Sequence, residues 1–256
     1  MNNLIRMDLY RMRRNRAFWI CLILAFVSAL IQTPFAWLMV KLSGMLVEEA
    51  LPFPDTALLS EIIAKPFPLF NTTLTMLSAC AFFHADVESG YIKNIAGQVP
   101  KRGLTVLSKF IAVIPHNLLF MLTGVAGNLA GTVLFQRIEA DAGVAEQIGI
   151  FFLRLLLLQG LCTVLLLATF TLRSKSLGSV LSVVLGTGML FLVYLGIETG
   201  VKQLFGLEDF PMSDYMPDQM IRAAAPETVP AILSALITTG IFLLLAVRIF
   251  DRRDVK

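Results

Sequence analysis

Six stretches of the sequence run for 18 residues or more without a charged side chain: 17–40, 66–85, 110–136, 155–172, 176–197 and 228–247. A helix needs about 20 apolar residues to cross roughly 30 Å of hydrocarbon at about 1.5 Å per residue. An Asp, Lys or Arg at mid-membrane costs about 2.5–3.5 kcal/mol on insertion. Runs of this length predict membrane-spanning helices. Composition closes the alternatives. Apolar residues make up 57% of the chain and charged residues 15%, against about 25% charged in soluble domains. A soluble fold of this size cannot hide that much apolar surface, and disorder is excluded for the same reason. A transmembrane barrel needs short alternating segments, whereas these runs are unbroken. The expected fold class is an all-α integral membrane protein with six transmembrane helices in a single domain, 1–256. Its spans fall at about 17–42, 66–85, 105–135, 148–172, 176–197 and 229–249, the fourth reaching back to Ile148 if Arg154 snorkels to the surface.

Basic residues set the expected orientation. The flank Arg11-Met12-Arg13-Arg14-Asn15-Arg16 looks like the start of a secretion signal. The apolar run after it exceeds the ~7–15 residues of a signal core, and no small-residue cleavage site is evident, so it reads as a retained span. With the N-terminus inside and six spans, 15 of the 21 Lys and Arg lie inside, and 13 of the 18 acids lie outside. Both termini are therefore expected in the cytoplasm.

Three segments between spans carry pattern. Residues 3–16 read as an amphipathic interfacial helix, with Ile5, Leu9 and Met12 on one side and Arg6, Arg13 and Arg14 elsewhere. It serves as an arginine anchor on anionic lipid or as a contact for a cytoplasmic partner. The inside loop, 86–104, is punctuated by Gly90, Gly97, Pro100 and Gly103, which leaves room for one short helix over about 89–96. Tyr91, Ile92 and Ile95 give that helix an apolar side to be covered by lipid headgroups or by a partner. The outer segment 198–228 is acidic and rich in proline, yet holds Leu204, Phe205, Leu207, Phe210, Tyr215, Met216, Met220 and Ile221. Short interfacial or re-entrant helices are expected there, before the last span. The other outer loop, 48–65, reads as plain.

Most catalytic chemistry has no carrier. There is no P-loop, HExxH or GxSxG motif. Cys21, Cys80 and Cys162 lie far apart in apolar stretches and read as small buried hydrophobes. His84, Asp86 and Glu88 alternate along one helix and do not converge on one ion. His116, after Pro115, reads as an interhelical hydrogen-bonding residue rather than a proton relay. Acids near mid-membrane are essentially missing, which argues against proton- or sodium-coupled transport. No basic-aromatic surface suggests nucleic acid. Gly124, Gly127 and Gly131 thin the third span, the last two as GxxxG, and pack helices within the chain or at a subunit seam. Pro115 and these glycines are candidate hinges.

This layout resembles the permease subunits of bacterial ATP-binding-cassette (ABC) exporters of type-2 fold, most nearly those serving antimicrobial-peptide export or immunity. Three parts carry the likeness. The first is the start, Met7-Asp8-Leu9-Tyr10-Arg11 through Arg16, before the first span. The second is Phe82-Phe83, then Asp86-x-x-x-Gly90-x-x-Lys93-Asn94, Arg102, and Lys109 entering the third span. The third is the ending Arg248-Ile249-Phe250-Asp251-Arg252-Arg253-Asp254. Lys101 stands beside Arg102, where the family commonly has a small residue or Ser. The resemblance implies a permease paired with a second permease copy, or a homologous one, and with two copies of a cytoplasmic ABC ATPase. ATP and Mg would bind in that partner; this chain would hold no cofactor or metal and would not itself be an enzyme. The loop helix would be a cytoplasmic coupling helix seated on the ATPase, with Asp86, Glu88, Gly90, Tyr91, Ile92, Lys93, Asn94, Ile95 and Arg102 at the coupling interface. The location implied is the bacterial cytoplasmic membrane, among its lipids, and the cargo amphipathic or apolar, a peptide or lipid-like molecule. The rival readings are an ATPase-independent channel or carrier, a membrane enzyme, and a non-transporting assembly or sensing subunit.

Overall fold

The computed structural model describes residues 2–46, 53–65, 69–88, 103–172, 174–205, 211–223 and 226–252. It is 86% helical. In chain order the helices are α1 (Asn2–Arg14), α2 (Arg16–Leu46), α3 (Leu59–Ala64), α4 (Leu69–Glu88), α5 (Gly103–Val133), α6 (Val144–Leu172), α7 (Lys175–Thr187), α8 (Phe191–Phe205), α9 (Pro217–Met220) and α10 (Thr228–Arg252). Asn15 separates α1 from α2: its side-chain oxygen accepts from the Ala17 N–H at 3.0 Å and starts the second helix. The Trp19 indole donates to the Arg13 carbonyl at 2.8 Å and closes the first.

Among the described residues, α2, α5, α6 and α10 are each long and apolar enough to cross a membrane, and the bent pair α7–α8 makes a fifth candidate. The chain is an all-α, multi-pass membrane protein. α4 is less apolar than these, and most of its length from Asn71 to Asp86 is buried among other helices. It packs against α2, α5, α6 and α7, and Asn71, Thr72, Thr75 and Ser78 are buried along it. A helix shielded on all sides by protein can carry such residues, because its neighbours satisfy them. Ser28 of α2 donates to Asn71, and Thr75 donates back to its own helix at the Asn71 carbonyl, 2.7 Å away.

The segment expected as one span over 176–197 is instead broken. α7 ends at Gly188, whose φ of 71° is left-handed and suits glycine. The Met189 N–H bonds back to the Val184 carbonyl, which closes the turn. α8 then leaves at 71° to α7. The missing charge made the two halves look continuous, but the backbone reversal at Gly188 decides. α5, by contrast, runs from Gly103 to Val133 through Pro115 as one helix.

The outer loop expected to be plain is folded. β1 (Thr56–Leu58) pairs in parallel with β2 (Arg137–Glu139), Thr56 opposite Arg137 and Leu58 opposite Glu139. Asp141 accepts the Ser60 N–H at 3.0 Å and so caps α3 from across the chain; hydrogen bonds from the Ser60 side chain and then its N–H hold the Asp141 carboxyl below the ordinary range. The 3-10 turn Ser213–Tyr215 and α9 supply the short helices expected before α10. The start of α5 and the last turn of α10 meet where the Asp251 carboxylate accepts the Gly103 N–H at 2.6 Å. α1 packs on α5 at the same place. α1 and the last turn of α10 therefore sit at one end of the bundle, called here the terminal end.

Candidate functional site

Four charges are packed together at the terminal end, three of them buried and the fourth, Arg11, at its rim. Lys109, one and a half turns into α5, is fully buried, and Asp86 and Asp8 are 1% and 3% exposed. The Lys109 ammonium contacts the Asp86 carboxylate directly and lies 3.6 Å from Asp8. Arg11 Nη1 takes the other Asp86 oxygen at 2.6 Å. The Ser108 hydroxyl donates to Asp8 at 2.6 Å, and the Phe82 ring lies 4.6 Å beneath the ammonium. Two carboxylates and two cations leave the cluster neutral, the condition under which buried charges are tolerated. Burial pushes the Asp8 carboxyl above its ordinary range, with Lys109 and Ser108 opposing.

The elements explain the convergence. Asp8 lies on the same side of α1 as Ile5, Leu9 and Met12 and faces the bundle, while Arg6, Arg13 and Arg14 face outward. Asp86 is in the last turn of α4, and Lys109 is in the second turn of α5. The junction thus fastens α1 to both flanks of the 89–102 segment. Asp251 adds α10 through its bond to Gly103, where a Cβ would lie 2.7 Å from Val247. Glu88 adds α7 through an exposed ion pair to Lys175 at 3.2 Å.

Of the expected interface residues, Asp86 belongs to this junction and is buried. Glu88 is exposed but engaged with Lys175. Gly90, Tyr91, Ile92, Lys93, Asn94, Ile95 and Arg102 lie outside the described residues. Gly127 and Gly131 pack within the chain. Their missing Cβ atoms make room for the α2 backbone: a Cβ on Gly127 would lie 2.6 Å from the Phe26 carbonyl, and one on Gly131 would collide with that of Leu30. Gly124 lines a small enclosed cavity with Lys65, Asn128 and Arg154. The unexpected members of the junction are Asp8, Arg11, Ser108 and Lys109. A signal for the first was present, since Asp8 is an acid on the apolar side of a basic helix.

Two other polar regions follow along the bundle. In the middle, His116 bonds Ser78 at 3.0 Å and Asn117 at 3.1 Å, and Asn117 donates to Gln159 at 3.0 Å. This ties α4, α5 and α6 together without charge. At the far end, Arg154 is buried rather than snorkelled: its guanidinium donates to the carbonyls of Ala64 and Ala223 at 3.0 and 2.9 Å. Arg222 donates to Leu185 and Gly186 at 3.2 and 2.5 Å, at the broken end of α7. Beyond these, a cleft of about 320 Å³ is lined by Asp214, Tyr215, Gln219 and Glu227. It adjoins a mostly apolar one of about 350 Å³ along Val229, Leu233 and Ile237. No group of three or more His, Cys, Asp or Glu side chains is placed to hold a metal among the described residues. Neither known family models nor curated proteins give a match to this sequence.

Proposed function

We propose that the chain is the membrane-spanning permease subunit of an ATP-driven exporter, powered by a separate cytoplasmic ABC ATPase that grips the 86–104 loop. The observation that carries this reading is the junction of Asp8, Asp86 and Lys109, all buried, with Arg11 at its rim. It joins both flanks of the loop to α1, so that force on the loop moves α1, α4 and α5 as one body. A loop with no mechanical task would not need its ends fixed by charges whose burial is costly. In this reading α4 is the shielded sixth span, and both termini are cytoplasmic by the Lys and Arg count.

ATP binding would bring two ATPase copies together, and two permease copies would follow. By linkage, the ATPase contacts must differ in free energy between the two permease states. Pro115 offers α5 a point of flexion, since it donates no N–H to the preceding turn, and Gly188 gives α7–α8 a second. The adjoining polar and apolar clefts at the far end suit an amphipathic or apolar cargo. Gentle purification of the tagged chain tests the proposal: a stoichiometric ATPase should accompany it. Tyr91→Ala with Ile95→Ala should leave ATPase activity but abolish transport in vesicles. Transport by the chain alone would overturn the reading in favour of a channel or carrier.

A further inference from the structure

Four acids of the segment 198–228 fall among the described residues: Glu198, Asp214, Asp218 and Glu227. Two of them are occupied. Glu198 accepts the Ser213 N–H at 2.6 Å. Asp218 is buried and accepts from the Tyr194 hydroxyl at 3.0 Å and the Gln219 amide at 2.8 Å. The other two are not. Among the described residues, the Asp214 and Glu227 side chains take part in no ion pair or hydrogen bond. Both are exposed, and both line the same cleft of about 320 Å³. No Lys or Arg lines that cleft among the described residues. Arg222, on the same segment, is engaged with the carbonyls of Leu185 and Gly186 instead. The cleft is therefore a negative one that the chain's own cations leave unanswered.

Its neighbour has the opposite character. Tyr215 and Pro230 line both clefts, so the two share a wall. The Ser234 hydroxyl fastens that wall to α10 by donating to the Tyr215 carbonyl at 2.7 Å. Val229, Leu233 and Ile237 follow at intervals of four along the apolar cleft, each more than half exposed. They make a strip about 12 Å long at 1.5 Å per residue. We propose that the paired clefts bind a single-chain amphiphile with an ammonium head, the head between Asp214 and Glu227 and the chain along the strip. Charge complementarity selects the head: an anionic one would meet two carboxylates and no cation. Tyr215, on the wall of both clefts, supplies an aromatic ring where the cation meets the chain. A bare inorganic cation would leave the apolar cleft unused. No third His, Cys, Asp or Glu joins the two carboxylates to hold one among the described residues. The proposal gives a charge to the cargo of the export reading; it rests on that reading for transport, but binding is a property of the chain alone.

The test is photolabelling of the full chain in neutral detergent, with no ATPase present, by a dodecylammonium probe carrying a diazirine on its chain. Peptide mapping should find the label concentrated on 229–237. Unlabelled dodecyltrimethylammonium should displace the probe, and dodecyl sulfate should not. Asp214→Asn with Glu227→Gln should weaken binding about tenfold by removing both charged partners. Leu233→Trp keeps both carboxylates but crowds the strip, and should weaken it as well. Label spread evenly over the exposed faces of α2 and α10 would overturn the proposal, because the probe would then report only the micelle. Equal displacement by the sulfate, or labelling indifferent to both variants, would overturn it too. None of these outcomes bears on whether an ATPase accompanies the chain, so the export reading stands or falls separately.

Discussion

The two ends of the bundle handle their buried and half-buried cations in opposite ways. At the terminal end, Lys109 and Arg11 meet carboxylates, Asp86 and Asp8, and side chain answers side chain. At the far end, Arg154 and Arg222 meet backbone carbonyls freed where helices stop: Ala64 at the end of α3, and Leu185 and Gly186 before the break at Gly188. A paired-charge cluster is intolerant, because removing one member strands another. A carbonyl cap is graded, because peptide oxygens carry only partial charge. The first arrangement suits a joint that must transmit force, and the second suits a closure that can open.

The sharpest break of that comparison is Lys109→Met. Asp86 keeps Arg11, but Asp8 loses its neighbouring cation in a dry site, and the loss should be about 3–5 kcal/mol. Unfolding in mixed micelles measures it. Adding Asp8→Asn should recover part of the loss, since it removes the stranded carboxylate. A loss below about 1 kcal/mol for Lys109→Met would place the junction among weak surface pairs.

Arg222→Met probes the other end with a smaller effect. It strands two carbonyls at the end of α7, with an expected cost of about 1–3 kcal/mol. Because the cap holds α9 against the helix break, protease cleavage within 211–223 should accelerate while the terminal end stays protected. Equal loosening of both ends would dissolve the distinction between joint and closure.

Much of the terminal end was open to sequence reasoning, and little of the far end was. The long apolar helices follow from charge-free runs. The junction was half visible: Asp8 shares a face with Ile5, Leu9 and Met12, a local pattern, but its pairing with Lys109 spans 101 positions. Lys109 reads only as a residue entering the third span, and nothing local in the sequence announces its carboxylate partners. The break at Gly188 could not be read from charge, since both halves are apolar. Arg154 looked like a snorkelling residue because its partners, Ala64 and Ala223, are backbone groups that no side-chain pattern announces. The three-residue strands β1 and β2 are too short to leave a period.

Asp8 permits a finer test of the joint through pH. Burial raises its folded-state pKa above the ordinary value of 3.8, so protonation favours the fold. Its contribution is complete below that ordinary value and is lost as pH rises through the raised one. The stability of the wild type relative to Asp8→Asn should therefore fall as pH climbs above about 4. The opposite slope would mean that attraction to Lys109 outweighs burial, making the junction a source of stability rather than a strained linkage.

The smallest effect is expected at Glu88, within reach of the junction but in solvent. Its side chain and that of Lys175 are more than half exposed, so water screens the pair. Glu88→Gln should cost no more than about 0.5 kcal/mol, and added salt should erase even that. Asp86→Asn, two residues earlier in the same helix, leaves Lys109 and Arg11 facing one carboxylate and should cost several times more. Similar losses for the two substitutions would mean that water reaches Asp86 and that the terminal end is as graded as the far one.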